Sequence, residues 1–269
     1  MKETLFIRLV LGFTLFSFSV SGQNADFKRI EDNSFLMEEA YNQEPGVIQH
    51  ISAFQYMENN SWWYSFTEEW PVPGQKHQLS TTIPVINSSQ IGFGDVAMNY
   101  RYQAIFTDHL AFSPRFSLLL PTGNYRKGLG SGVLGYQMNL PVSLVLTNRI
   151  VSHYNLGATI TPGAIAMDHS TSDIFNINFG ASVIWLLSEN LNLMLEAVGN
   201  TLFEKSNNAI TERSKTIYLN PGLRYAINFR SGLQIVPGIA LPIGIGPSRG
   251  EVGLFAYLSF EHSFWTPNN

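Results

Sequence analysis

Six histidines stand at 50, 77, 109, 153, 169 and 262, and no two share a short metal-ligand spacing, so neither a metal nor any other cofactor is expected. The nearest approach to a nucleophile, base and acid set is His169-Ser170-Thr171-Ser172-Asp173. Neighbours along one polar stretch rarely meet the geometry of a triad, in which a third group orients the base, so a solvated loop is the expected reading. His153 and Asn155 share one parity and would suit a hydrolase, but no matching serine elbow stands out. Glu68 and Glu69 are adjacent and point to opposite faces of a strand, so they share no site. No catalytic residues are expected. A more coherent set is Asp95, Arg101, Arg115, Glu196, Arg224 and Glu261, all on the polar parity of alternating segments. Arg101 and Arg115 fall on neighbouring segments, as do Glu196 and Arg224. Inward charges on opposed walls can set a selectivity filter or only hold a shape through salt bridges, and both readings stay open here.

The elements that carry these charges have period two. Val96, Met98, Tyr100, Tyr102, Ala104 and Phe106 alternate with Asp95, Ala97, Asn99, Arg101 and Gln103, and Phe175, Ile177 and Phe179 alternate with Asn176 and Asn178. Twelve such segments are predicted, at 47–57, 61–70, 77–86, 95–106, 110–120, 133–146, 150–162, 174–187, 191–201, 215–228, 232–241 and 251–264. Short turns at 107–109, 147–149, 188–190 and 228–231 alternate with longer loops at 121–132, 163–173, 202–214 and 242–250, the asymmetry of outer-membrane barrels. An even strand number returns both chain ends to the short-turn side. Pro114, Pro141, Pro221 and Pro237 each delete a ladder donor and are expected at bulges or bends.

Alternation alone does not separate a membrane barrel from a soluble one, and charge does. Of 269 residues, 45% are hydrophobic and 13% aromatic, but only 13% are charged, against about a quarter in soluble domains. Mean hydropathy is +0.02, so Ser, Asn, Thr, Gln and Gly replace the missing charge. All six lysines lie in the leader, in loops or at a strand start, and from the fourth segment onward the apolar parity carries no Asp, Glu, Lys or Arg. Arg or Lys at the midplane of a lipid-facing wall costs roughly 2–4 kcal/mol, which explains that exclusion. Trp62, Trp63, Tyr64, Trp70, Trp185 and Trp265 near segment ends are read together as interface girdles. A net charge of −4 and the aromatic content argue against nucleic-acid binding and disorder. With no cysteine, disulfides and thiolate metal sites are excluded.

Residues 1–22 read as a secretory signal peptide, with Lys2 and Arg8 ahead of an apolar core from Leu9 to Val20 and small residues before Gln23. Residues 23–45 form a charge-dense leader with a short helix expected over Phe35–Ala40, either mobile or packed as a plug; residues 46–269 form the barrel. The expected fold is an all-β antiparallel transmembrane barrel of about twelve strands, in the outer membrane of a Gram-negative cell.

Three stretches carry a family likeness: Gly92-Phe93-Gly94-Asp95-Val96; Leu120-Pro121-Thr122-Gly123-Asn124 running to Gly128-Leu129-Gly130-Ser131-Gly132; and Asp32 to Gly46. With these the chain resembles the outer-membrane transporter family named for the meta-pathway of phenol degradation. The resemblance implies a barrel that passes small molecules, hydrophobic or aromatic ones included, and brings no catalytic or ligand residues. Phe264-Trp265 followed by Thr266-Pro267-Asn268-Asn269 departs from the usual aromatic last residue of such barrels. The expected function is passive passage of small molecules, with the lipid bilayer, the barrel-assembly machinery and small solutes as partners. A barrel enzyme acting on lipids and a structural barrel without transport remain alternatives. The enzyme predicts a Ser–His contact on the outer wall, and the structural barrel a lumen filled by side chains and leader.

Overall fold

The computed structural model describes residues 34–87, 90–206 and 209–263. The expected signal peptide, the first part of the leader and the Phe264-Trp265 terminus lie outside these residues. Twelve antiparallel strands close into one barrel. They are β1 (Val47–Met57), β2 (Trp62–Pro71), β3 (His77–Asn87), β4 (Ile91–Phe93, continued by Val96–Tyr102 and Ile105–Phe106) and β5 (Leu110–Phe112 and Arg115–Leu120). Next come β6 (Gly135–Asn139 and Val142–Thr147), β7 (Ile150–Ile165), β8 (Thr171–Leu186) and β9 (Leu191–Ser206). The last are β10 (Ala209–Tyr225 and Ile227–Asn228), β11 (Gln234–Ala240 and Ile243–Gly244) and β12 (Gly253–Ser263). Each strand pairs with the next, and β12 returns to β1 in unbroken register from Val47 opposite Ser263 to Met57 opposite Gly253. Closure leaves no unpaired edge, the condition hydrocarbon imposes on any sheet that crosses it.

Burial runs opposite to that of a water-soluble protein. Gln49, Gln78, Asn99, Arg101, Ser117, Asn139, Asn155, Ser182, Glu196, Asn220, Arg224 and Glu261 are buried on the inner wall. Phe93, Phe116, Met138, Leu156, Val183, Trp185 and Leu195 are exposed on the outer one. The expected faces are therefore the observed ones, apart from those of Asp95 and Trp63. Trp63 points into the lumen and packs edge-on to Phe255 at 6.0 Å, because its parity in β2 matches Ser65, Thr67 and Glu69 rather than Tyr64 and Phe66.

Local chemistry sets the strand ends. At the short turns a hydroxyl replaces missing ladder partners: Thr107 Oγ1 accepts from the Leu110 amide at 3.0 Å, and Thr147 Oγ1 accepts from the Arg149 amide at 3.2 Å. Pro114 and Pro141 divide β5 and β6, and their carbonyls still accept from Tyr102 and Ser113. Pro221 and Pro237 lie inside β10 and β11, opposite Leu195 and Leu258.

Two loop expectations and the helix need correction. The loops predicted at 163–173 and 202–214 are mostly strand: β7 and β8 run on to Ile165 and from Thr171, and β9 and β10 to Ser206 and from Ala209. Polar pairs such as Asp173 opposite Lys205, and the Glu204–Arg213 ion pair, continue the ladder above the apolar band, where alternation of greasy and polar residues stops. The helix predicted over Phe35–Ala40 is replaced by bends at Phe35, Leu36 and Met37, whose amides bond to the barrel wall instead of to each other's turn.

If the outer face of β9 meets lipid near Leu195 and leaves it before the β9–β10 tip, Leu195→Arg should destabilise the barrel in lipid vesicles by roughly 2–4 kcal/mol. Ile210→Arg, at a position 71% exposed, should change guanidinium unfolding little.

Candidate functional site: the lumen and its leader

The glycine motifs are drawn together at the long-loop rim by one carboxylate. Asp95 sits in the break of β4; its Oδ1 accepts from the Gly123 amide at 2.9 Å, and its Oδ2 from the Ser131 amide and hydroxyl, both at 2.8 Å. Thr122 Oγ1 completes the joint, accepting from the Val96 amide at 2.9 Å and donating to the Gly94 carbonyl at 3.1 Å. A Cβ on Gly123 would lie 2.3 Å from the Leu129 carbonyl oxygen, and one on Gly130 would lie 2.4 Å from Asp95 Oδ1, so both positions need glycine for close approach. Asp95 was expected to line the lumen. Its carboxylate instead holds the 121–132 loop, because inward parity ends where the strand does.

The other five predicted charges lie on the inner wall, and the leader organises them. Residues 34–46 enter from the short-turn rim beside β1 and cross the lumen, joined to the wall by hydrogen bonds to side chains. Glu196, on β9, takes the amides of Phe35 (2.8 Å), Leu36 (3.0 Å) and Met37 (3.2 Å) on one carboxylate oxygen, and Asn220 Nδ2 (2.7 Å) on the other. Three successive amides converging on one anion form a backbone nest, here with the anion supplied by the wall. Each hydrogen bond to a charged group contributes roughly 1.5–3 kcal/mol, more than a neutral one. Arg101, 4% exposed, is committed to the leader: its Nε donates to Asn42 Oδ1 at 2.8 Å, and its Nη atoms to the carbonyls of Glu39 (2.9 Å) and Tyr41 (2.6 Å). Further contacts run from the Ala40 amide to Ser143 Oγ (2.8 Å) and from the Gln43 amide to Gln78 Oε1 (2.8 Å).

An apolar contact secures the inner end of the leader. The Phe35 ring rests where Gly222 and Gly238 lack side chains, since a Cβ on either would lie 2.5 Å from the ring. Phe255 and Tyr257 flank it at centroid distances of 5.4 and 5.6 Å, and the Arg224 guanidinium stands 6.0 Å above it. Met37 occupies the equivalent gap over Gly180. Glu261 accepts from Gln49 Nε2 at 2.7 Å, and Gln49 Oε1 accepts from Gln43 of the leader. Arg101 and Arg115 are indeed brought together, directly opposite each other across the β4–β5 ladder. Glu196 and Arg224 share the Phe35 region but serve different leader groups.

Two cavities flank the leader. One, of 340 Å³, is lined by Glu38, Glu69, Arg101, Arg115, Asn139 and Tyr257 among others; the second, of 330 Å³, reaches Phe179, Val198 and Tyr218 and shares Leu36, Met37, Trp63, Asn155 and Asn178 with the first. Sequence reasoning missed Glu38, Phe35, Gly222 and Gly238. Glycines on an inward parity otherwise filled by Asn and Ser were the available signal, and nothing local marked their partner.

The candidate hydrolase residues are placed differently. Ser143 Oγ lies 2.7 Å from His153 Nδ1, but both are fully buried on the inner wall under Ala40, whereas an enzyme acting on lipid needs the pair outside. Asp168 accepts from the Ser170 amide and hydroxyl, which lowers its pKa, and Asp173 accepts from the Gly163 amide. The His169 ring stands edge-on to Tyr125, so this loop assembles no triad. Glu68 and Glu69 diverge as expected, toward His50 outside and Gln78 inside. Among the described residues no group of three or more His, Asp or Glu is placed to hold a metal.

No protein-family model and no curated protein matches the chain. Solved structures do. An outer membrane channel from Pseudomonas putida F1 superposes with a TM-score of 0.59 at 10% identity, covering 83% of this chain and 98% of that one. The NanC porin superposes with a TM-score of 0.56 at 10% identity, covering 78% and 98%. At this identity the likeness concerns the fold, and the chain has the fold of an outer-membrane channel barrel.

Replacing Asp95 with Ala should free the 121–132 loop. Limited trypsin digestion should then cut at Arg126 and Lys127 about tenfold faster, while the barrel keeps its heat-modifiable migration. Unchanged cleavage would show that the glycine packing alone holds the loop.

Proposed function

We propose that this protein is an outer-membrane channel for passive passage of small molecules, closed at rest by its own leader. The observation that carries the reading is the way the leader is held. It fills a polar lumen through side-chain hydrogen bonds and the aromatic contacts of Phe35 and Tyr41, without a strand ladder, so it can leave while the barrel stays closed on itself. Export by a signal peptide and insertion by the barrel-assembly machinery belong to the same reading, as does the resemblance to the family of the meta-pathway of phenol degradation. The β3–β7 side of the lumen is polar, whereas Trp63, Phe255 and Tyr257 give the other side an apolar and aromatic surface. Such a route suits small molecules with one apolar and one polar end, aromatic ones included. Nothing in this reading requires catalysis.

One observation favours a structural barrel without transport, namely the filling of the lumen itself. Liposome swelling separates the two. The unaltered chain should give slow swelling with small sugars and aromatic solutes, and Glu196→Ala, which removes the acceptor of three leader amides, should speed it several-fold. No flux for polar or aromatic solutes in either protein, both heat-modifiable, would leave the structural barrel.

A further inference from the structure

The contacts of Glu38 define a pocket that the channel reading does not by itself require. Its Oε2 lies 3.1 Å from Arg115 Nε and accepts from Asn139 Nδ2 at 2.7 Å, while its Oε1 lies 3.4 Å from Arg101 Nη1. Its backbone is gripped as well: Asn155 Oδ1 accepts from the Glu38 amide at 2.8 Å, and Asn155 Nδ2 donates to the Glu38 carbonyl at 2.7 Å. Two guanidiniums and an amide from three strands thus converge on one carboxylate. Both arginines belong to the wall, and the carboxylate belongs to the removable segment.

We propose that Arg101, Arg115 and Asn139 form a carboxylate-binding site on the lumen wall, and that Glu38 occupies it in place of the carboxylate of a transported solute. The inference rests on the channel reading and names its substrate class, a small monocarboxylate with an apolar or aromatic tail. Charge supports it. With the leader in place, the larger cavity is lined by Glu38, Glu39 and Glu69 against Arg101 and Arg115, one negative charge in excess. Without the leader only Glu69 opposes the two arginines, so the wall carries a net positive charge. Arg101 and Arg115 face each other across a ladder, and like charges held that close in a confined space need an anion between them. Arg115 keeps its wall partner Gln137 Oε1, at 2.7 Å, which would hold its head in place for an incoming ligand. The neighbouring 330 Å³ cavity, with Trp63, Val198 and Tyr218 on its barrel wall, offers room for the tail. Solute and leader then compete for one site, so binding of the solute favours release of the plug.

Calorimetric titration of the full chain in detergent tests this directly, with benzoate as probe and benzyl alcohol as its neutral counterpart. Glu38→Gln removes the internal competitor's charge and should tighten benzoate binding about tenfold, the scale of one charge-assisted hydrogen bond, with benzyl alcohol unchanged. Adding Arg115→Gln to Glu38→Gln should abolish the gain. Glu38→Ala serves as a second release variant if Glu38→Gln does not fold. Benzoate affinity equal in the unaltered and released chains, or an equal gain for benzyl alcohol, would overturn the proposal. Because binding is read without flux, a barrel that binds benzoate but swells no liposomes would sink the channel reading alone. One that passes solutes without carboxylate preference would sink only this inference.

Discussion

Hydrocarbon offers backbone groups no hydrogen-bond partner, and the rest of the structure depends on that deficiency. Every strand must find two neighbours, so β12 returns to β1 over eleven register pairs and no edge remains. Closure then decides where polarity goes. Period two gives each strand two faces; one must be apolar toward lipid, and the other encloses a space too narrow to be dry by default. The inner wall therefore accumulates Asn, Gln, Ser and a few charges that need partners. The leader supplies such partners for Arg101, and for Glu196 in addition to Asn220 of the wall.

The leader is thus held by the opposite logic from the wall. Strands are joined by repeated backbone ladders, which are cooperative and hard to interrupt. Residues 34–46 are joined by separate side-chain bonds at well-spaced points, with Glu196 at one end, Glu38 and Arg101 in the middle and Gln78 near the entry. Phe35 adds an apolar anchor that fits because Gly222 and Gly238 present bare backbone. Such an arrangement is specific in position yet separable from the barrel, since water can replace each bond when the segment withdraws.

The barrel was legible in the sequence because lipid enforces its rule residue by residue. All twelve segments, the faces of Arg101, Arg115, Glu196, Arg224 and Glu261, and the breaks at Pro114 and Pro141 follow from alternation and proline chemistry. Legibility ended where that rule ends. Above the bilayer, strands with polar residues on both faces read as loops, which is why β7 to β10 were expected to be shorter. Asp95 kept the inward parity of its strand, but the chain turns there and its carboxylate faces a loop. The leader was least legible. Phe35-Leu36-Met37-Glu38-Glu39-Ala40 has good helix formers, yet its amides find Glu196 some 160 residues away, and local propensity carries no information about such a partner.

The central claim is that the leader, seated in the lumen, closes a channel the barrel would otherwise provide. Ser34 Oγ and Ser182 Oγ lie 2.8 Å apart, one on the leader and one on β8, and the chain has no cysteine of its own. A Ser34→Cys, Ser182→Cys double variant can therefore tether the leader reversibly. In planar bilayers the account predicts that the oxidised protein stays silent and that reductant restores openings. Equal conductance in the oxidised and reduced states would contradict it.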